Sequence, residues 1–331
     1  MDITNIALSE AMKQRGRMYE WSEKVVKNKV LTEEDIAISE AVDAFAKKIG
    51  TTGVPEIALS QFLVKVIEPE VYNAPSELLD LMFTQDSIGE FDDIGIVKNP
   101  VNKLLAQESA PRTGNVDKSY IDFTRGTKES VHLQVETEIK MSDLRQNGVK
   151  TIALLTQYAI EALNNKKFYH IFNTVDGLVT SPSPNGLETS GSLTMNIMDD
   201  FSGYLTDNGI NPIMIGLSSD LRGIKHMQGF ENFLSDNMKS ALNMNSVMSL
   251  YNGVKIASVK AGQKLADGKT LLPQKKIFGF CDKIGQMYMR GGLRVLQTPD
   301  NNREVISLKF TGFEFVYVIT DLDKMAKLTI K

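Results

Sequence analysis

The stretch VHLQVETEI (Val131–Ile139) runs almost directly into SDLRQNGVKTIALLTQYAIEALNNKKFYHIFNT (Ser142–Thr174), and the change of apolar period between them decides the fold. In the first segment Val131, Leu133, Val135 and Ile139 share one face, with His132, Gln134, Glu136 and Glu138 on the other, as a strand with one wet side requires. In the second, Leu144, Ile152, Leu155, Ala159, Leu163 and Ile171 recur at helical spacing, so a helix is predicted over about 142–173, with Ser142 as its N-cap. At a rise of about 1.5 Å per residue, some thirty residues span roughly 45 Å, which suits a flat, extended subunit.

Working outward, the first fifty residues read as two charged amphipathic helices. The second opens at Thr32, carries Glu33, Glu34 and Asp35 in its first turn, where acids suit the positive helix end, and closes at Gly50. Its stripe of Ile38, Val42, Phe45 and Ile49 needs a surface to pack upon, and the expected cover is an adjoining copy of the chain. From Thr51 to Pro75, Gly53, Pro55, Pro69 and Pro75 predict an extended connection. Ile88–Ser130 is polar and interrupted by Gly95, Pro100, Pro111, Gly114 and Gly126. It reads as a long hairpin arm with its tip near 107–115. A two-stranded ribbon is marginal in water with its edges open, so this arm is expected to lie on another subunit.

After the helix, the turn-forming run Thr180-Ser-Pro-Ser-Pro-Asn-Gly186 marks a boundary, and an α/β segment follows. It offers a helix near Met195–Leu205, a buried strand Pro212–Gly216, a helix from Ser218 or Ser219, a Met-rich segment over 238–250, and strands Gly253–Val259 and Lys276–Cys281. The chain closes with strands Gln286–Arg290 and Leu293–Gln297, a turn at Pro299–Asn302, and a long strand from Val305 to Ile319. There Ile306, Leu308 and Phe310 alternate until Gly312 shifts the phase to Phe313, Phe315, Tyr317 and Ile319.

Composition narrows the class. The 331 residues are 42% hydrophobic and 24% charged, an ordinary globular balance. No run of about eighteen apolar residues is present and the N-terminus lacks a secretory pattern, so no membrane association is expected. The single cysteine, Cys281, excludes an internal disulfide framework, and 37 basic against 41 acidic residues is not the balance of a chain that grips nucleic acid.

The order of arm, polar hairpin, alternating strand, long helix, α/β insertion and returning strand resembles the major capsid protein of tailed bacteriophages, with its α+β Hong Kong 97-type capsid fold. Local wording resembles that family too, in Met141-Ser-Asp-Leu144 opening the helix, Ile277-Phe-Gly-Phe-Cys-Asp282, Tyr288-Met-Arg-Gly-Gly292 and Phe310-Thr-Gly-Phe-Glu-Phe315, and the likeness covers roughly residues 70–331. The resemblance implies an N-terminal arm over 1–87, helical and then extended, an E-loop over 88–130, a peripheral domain over 131–180 and 293–331 built on the spine helix, and an axial domain over 181–292. It implies a subunit that self-assembles into hexamers and pentamers of an icosahedral head enclosing double-stranded DNA, without sequence-specific binding. Portal and scaffolding proteins would be partners, with a decoration protein allowed for, and the chain would be assembled in the host cytoplasm and end in the virion. Expected inter-subunit contacts are the E-loop tip, Ala110, Pro111, Arg112 and Gly114, and the peripheral turn, Asp300, Asn301, Asn302, Arg303 and Glu304. An encapsulin-type compartment, a cytoplasmic α/β enzyme and a tail or baseplate protein are the alternatives.

Chemistry-bearing motifs are weak. Gly268-Lys-Thr270 resembles the end of a P-loop, but the glycine needed five positions earlier is Gln263. Asp321 with Asp323, and Asp92 with Asp93, lack further ligands at helpful spacing. His132, His170 and His226 are scattered. No cofactor, metal or catalytic residue is expected, Cys281 reads as a small buried hydrophobe, and Met238, Met244 and Met248 read as adaptable packing. The family's namesake joins an E-loop lysine to a neighbour's asparagine, with a glutamate assisting. Lys103 or Lys118, Asn301 or Asn302, and Glu304 are the ingredients here, yet no apolar flank advertises a neutral lysine.

Overall fold

A computed structural model describes residues 17–52, 63–64, 67, 77–89, 98–103, 120–125, 127–180, 186–228, 230, 247–290, 293–300 and 302–331. Three helices come first, α1 (Arg17–Val26), α2 (Glu33–Thr52) and α3 (Glu77–Met82), then strands β1 (Phe83–Ile88), β2 (Lys98–Lys103), β3 (Tyr120–Arg125) and β4 (Thr127–Lys140). The spine helix α4 (Met141–Leu178) leads to β5 (Leu187–Gly191), α5 (Met195–Asn208), β6 (Ile213–Leu217) and the short α6 (Ser218–Leu221), which continues as a 3-10 turn. Strands β7 (Leu250–Tyr251), β8 (Val254–Val259), β9 (Lys276–Phe280), β10 (Gly285–Arg290), β11 (Arg294–Asp300), β12 (Val305–Ile319) and β13 (Met325–Ile330) complete the chain.

These strands form two sheets and a separate ribbon. The first sheet runs β1-β10-β12-β11, with β4 along the other side of β12. The second runs β5-β13-β9-β6-β8-β7, and among the described residues β2 pairs only with β3. The chain crosses between the sheets along the spine helix, again at 281–284 and a third time at 320–324, so membership departs from the sequence segments. Gly285–Arg290 lies in the first sheet with β12 and Met325–Ile330 in the second with β9 and β5. Thr127–Ser130 already pairs with Val316–Ile319, leaving the ribbon within 89–126.

β12 anchors the first sheet. Its register with β4 shifts between Phe310 and Phe313, where Gly312 adopts φ +85°, a conformation that glycine takes without steric cost. The shift keeps Phe310, Phe313, Phe315 and Tyr317 all buried. Val316 and Val318 are buried as well, so the last stretch is covered on both faces, beyond what alternation in one face predicted.

The spine helix is longer than expected, 38 residues, and its apolar stripe of Leu144, Ile152, Leu155, Ala159, Leu163 and Ile171 is buried throughout. It spans both sheets. His170 meets the Tyr317 hydroxyl at 3.1 Å in the first, and Phe172 packs on Phe278 at 5.5 Å between ring centres in the second. Ser142 is not its cap. The strand runs to Lys140, which holds the N-cap position without a side-chain hydrogen bond, and Ser142 lies inside the first turn. The Met141 amide donates instead to the Glu304 carbonyl at 2.9 Å, so a turn from β12 supplies what a capping side chain would. The helix bends at Asn147, whose φ/ψ of −134°/44° is not helical.

The N-terminal helices give the main correction. α1 and α2 pack on the spine of their own chain: Met18, Trp21, Ile38, Val42 and Ala46 join the core that holds Leu144, Ile152 and Phe313. The fit is close, because a Cβ on Gly148 would lie 2.3 Å from Ala46 Cβ. Thr32 and Asp35 cap α2 reciprocally, each backbone amide donating to the other's side chain, at 2.9 and 3.3 Å. Asp35 also takes Lys24 at 2.8 Å and Arg17 at 2.8 Å, tying α2 to α1. Burial raises the Asp35 pKa, but the Lys24 and Thr32 hydrogen bonds and the Arg17 charge outweigh it and hold the carboxyl at about 2. Of the connection expected to be extended, the described residues 51–52, 63–64 and 67 are helical, with Leu63 and Ile67 buried four apart as one helix face requires.

Candidate assembly surfaces

The peripheral turn is built from its own polar groups. Asp300 Oδ1 accepts from the amides of Asn302 at 3.1 Å and Arg303 at 3.2 Å, an Asx-type turn, and Glu304 takes φ 50° to re-enter the strand. Arg303 reaches Glu138 at 3.5 Å and Arg145 reaches Glu304 at 3.6 Å, so the turn sits where β4 becomes the spine helix. Asn302, Arg303 and Glu304 are exposed, while Asn301 lies outside the described residues. Exposed ion pairs of this kind add little stability.

The expected tip residues Ala110, Pro111, Arg112 and Gly114 also lie outside the described residues, as do Lys118 and the pair Asp92 and Asp93. The described base of the arm is the β2–β3 ladder, from Lys98↔Arg125 to Lys103↔Tyr120. Lys103 is on that ladder, opposite Tyr120.

A groove of about 600 Å³ was not foreseen from sequence. One wall is the spine face of Tyr158, Glu161, Ala162, Asn165 and Lys166; the other is His132–Val135 of β4; Lys264–Asp267 closes an end. Three segments far apart in the chain make it, so no local pattern could have announced it.

The titratable groups read as structure. Cys281 is fully buried, and burial pushes its thiol up to about 11, far from a reactive thiolate. Gly268 turns a tight loop at φ +81°, with Lys269 paired to Asp267 at 3.1 Å. Glu314 on β12 accepts from Ser130 at 2.7 Å and Arg290 at 3.1 Å, with His132 at 3.8 Å, a carboxylate shared by three adjacent strands. Asp176 near the end of the spine binds Lys276 at 2.6 Å and Lys327 at 3.4 Å, and Lys327 also meets Glu188 at 3.1 Å, fastening the helix to the second sheet. Among the described residues no group of three or more His, Cys, Asp or Glu could hold a metal ion, and no helix is long and apolar enough to cross a membrane.

Residues 13–320 match the protein family described as "SPbeta prophage-derived putative capsid protein YonB". No curated protein matches the chain. Among solved structures, the fold is similar to the head structure of Helicobacter pylori bacteriophage KHP40, at TM-score 0.52 and 8% identity over 77% of this chain and 91% of that one. It is similar also to a chain of Gordonia phage Cozz, at TM-score 0.51 and 12% identity over 76% and 84%. A third is the capsid of an empty GTA particle, at TM-score 0.51 and 11% identity over 76% and 89%.

Proposed function

This chain belongs to the YonB family of prophage-derived capsid proteins and carries the Hong Kong 97-type fold, and from that premise we propose that it tiles an icosahedral phage head as hexamers and pentamers around double-stranded DNA. The observation that carries the reading is the family match across 13–320, nearly the whole chain. In this reading the first sheet with the spine is the peripheral domain, the second sheet the axial domain, and the ribbon within 89–126 the E-loop. Its tip, Ala110, Pro111, Arg112 and Gly114, meets the turn Asp300–Glu304 of the next copy.

Each contact joins one patch to a different patch, a heterologous geometry that closes rings and lets rings tile a curved shell. Weak contacts made together multiply. A formal charge of −4 suits a container that holds DNA without gripping its sequence. No catalytic step is part of this work. Assembly takes place in the host cytoplasm with portal and scaffolding proteins, and the subunit ends in the virion.

Negative-stain microscopy of the expressed chain tests it: closed shells are expected, and a variant lacking 107–117 is expected to stay soluble and folded without closing them. Only monomers from the full chain, under every salt and crowding condition, would sink the reading.

A further inference from the structure

One buried carboxylate ties the N-terminal helices together. The Asp35 side chain is fully buried, with Lys24 Nζ and the Thr32 amide at 2.8 and 2.9 Å from Oδ2 and Arg17 Nη2 at 2.8 Å from Oδ1. Arg17 and Lys24 stand two turns apart on one face of α1, so both cations converge on this single anion of α2. The other charges around it are Glu34, which shares Arg17 at 3.3 Å but is largely exposed, and Glu161 of the spine, which acts on Lys27 just past α1.

The cap of α2 does not need the charge, because an amide oxygen at position 35 would accept from Thr32 as well. What the charge supplies is cohesion between α1 and α2. A neutral Asp35 leaves two partly buried cations side by side without their shared acceptor, and attraction becomes repulsion. The pair holds the spine by other means, since Met18, Trp21, Ile38, Val42 and Ala46 meet it as apolar packing. Loss of the charge therefore strikes the pair first, while the two sheets keep their own ladders and core.

We infer that α1 and α2 form a strap over the spine helix, locked by the Asp35 carboxylate, which opens as a unit ahead of the two sheets when that carboxylate is neutralised. The lock operates whether or not the chain assembles. It is complete above the unfolded carboxyl value of about 3.9; because the folded carboxyl is held at about 2, the closed-to-open ratio falls about a hundredfold as pH drops from the first value to the second. Trp21 is the chain's single tryptophan, and its indole donates to Ser39, whose hydroxyl donates to the Asp35 carbonyl at 2.8 Å. Its fluorescence thus reports on the strap.

The test titrates the full-length unassembled subunit with acid, following acrylamide quenching of Trp21 and, in parallel, the β-sheet band of the infrared spectrum. Trp21 is expected to become accessible before the sheet band is lost. Asp35→Asn keeps the capping acceptor and removes the charge. At pH 7 it is expected to speed amide exchange over 17–47 about a hundredfold, while the β12 peptide 305–319 keeps its wild-type protection. Exposure of Trp21 and loss of the sheet band in a single transition overturn the strap. Wild-type exchange over 17–47 in a folded Asp35→Asn chain overturns the lock, and an Asp35→Asn chain that does not fold overturns it equally, because the pair then cannot part from the rest.

Discussion

The N-terminal helix pair and the β2–β3 ribbon look alike in sequence, each an appendage too small for a core of its own, yet the structure treats them oppositely. The pair finds its partner inside the chain, where Trp21 is fully buried and its indole donates to Ser39 at 3.0 Å. Among the described residues the ribbon pairs only with itself. The difference lies in what each has left unmet. A greasy helix stripe is satisfied by any complementary apolar surface, and the spine beside it offers one. A strand edge needs backbone groups in register, and besides β2 no described strand of this chain supplies them to β3. Met18, Trp21, Ile38, Val42 and Ala46 are thereby part of the subunit's core, and the ribbon is the element proposed to reach other copies.

Four measurements can break or sharpen that contrast. Trp21→Ala should cost about 3–5 kcal/mol in denaturant unfolding of the unassembled subunit, because a large side chain leaves a cavity between α1, α2 and the spine. A loss under about 1 kcal/mol, near the level of a surface change, would mean that the pair is not core.

Lys167 probes the shared spine core from within. It is 1% exposed with its ammonium 6.0 Å from the Phe313 ring, and burial lowers its pKa to about 8 although Asp80 pulls the other way. Below that value the lysine is charged in both folded and unfolded chains, and the fold bears the penalty. Between about 8 and the unfolded value of about 10.4 the unfolded chain binds more protons, so this group's contribution to stability rises with pH. Lys167→Met should therefore stabilise the subunit by about 2–3 kcal/mol at pH 7, an advantage that shrinks as pH climbs through that window. A pH-independent difference between the two melting curves would refute it.

Gly148→Ala should cost about 1–3 kcal/mol, since its new methyl meets Ala46, and Ala46→Gly should restore much of that in the double variant. Additive losses would show that the two helices do not touch as closely as the fold requires. Smallest of all, removing 107–117 should shift the melting temperature of the unassembled subunit by no more than about 2 °C while abolishing shells. A large drop would mean that the arm stabilises its own chain.

The strand from Val131 and the spine stripe were legible because their periods are local and their apolar residues strong. The Gly312 phase shift was legible too, since a glycine between two alternating runs has few other readings. Ser142 misled because a good cap residue stood near a strand end, while the actual boundary was set by Glu304, some 160 residues away in the chain. The bend at Asn147 and the groove under β4 left no mark, as neither depends on a repeating pattern.

Period and composition determined that this chain would make a strand and a beam-like helix, with a two-stranded ribbon ahead of them. The tertiary structure alone decided that the leading helices close upon their own spine, that the chain crosses three times between two sheets, and that β4 keeps one edge unpaired among the described residues. Burial periodicity records that a face must be covered; which surface covers it depends on contacts between residues far apart in sequence, and these exist only once the chain has folded.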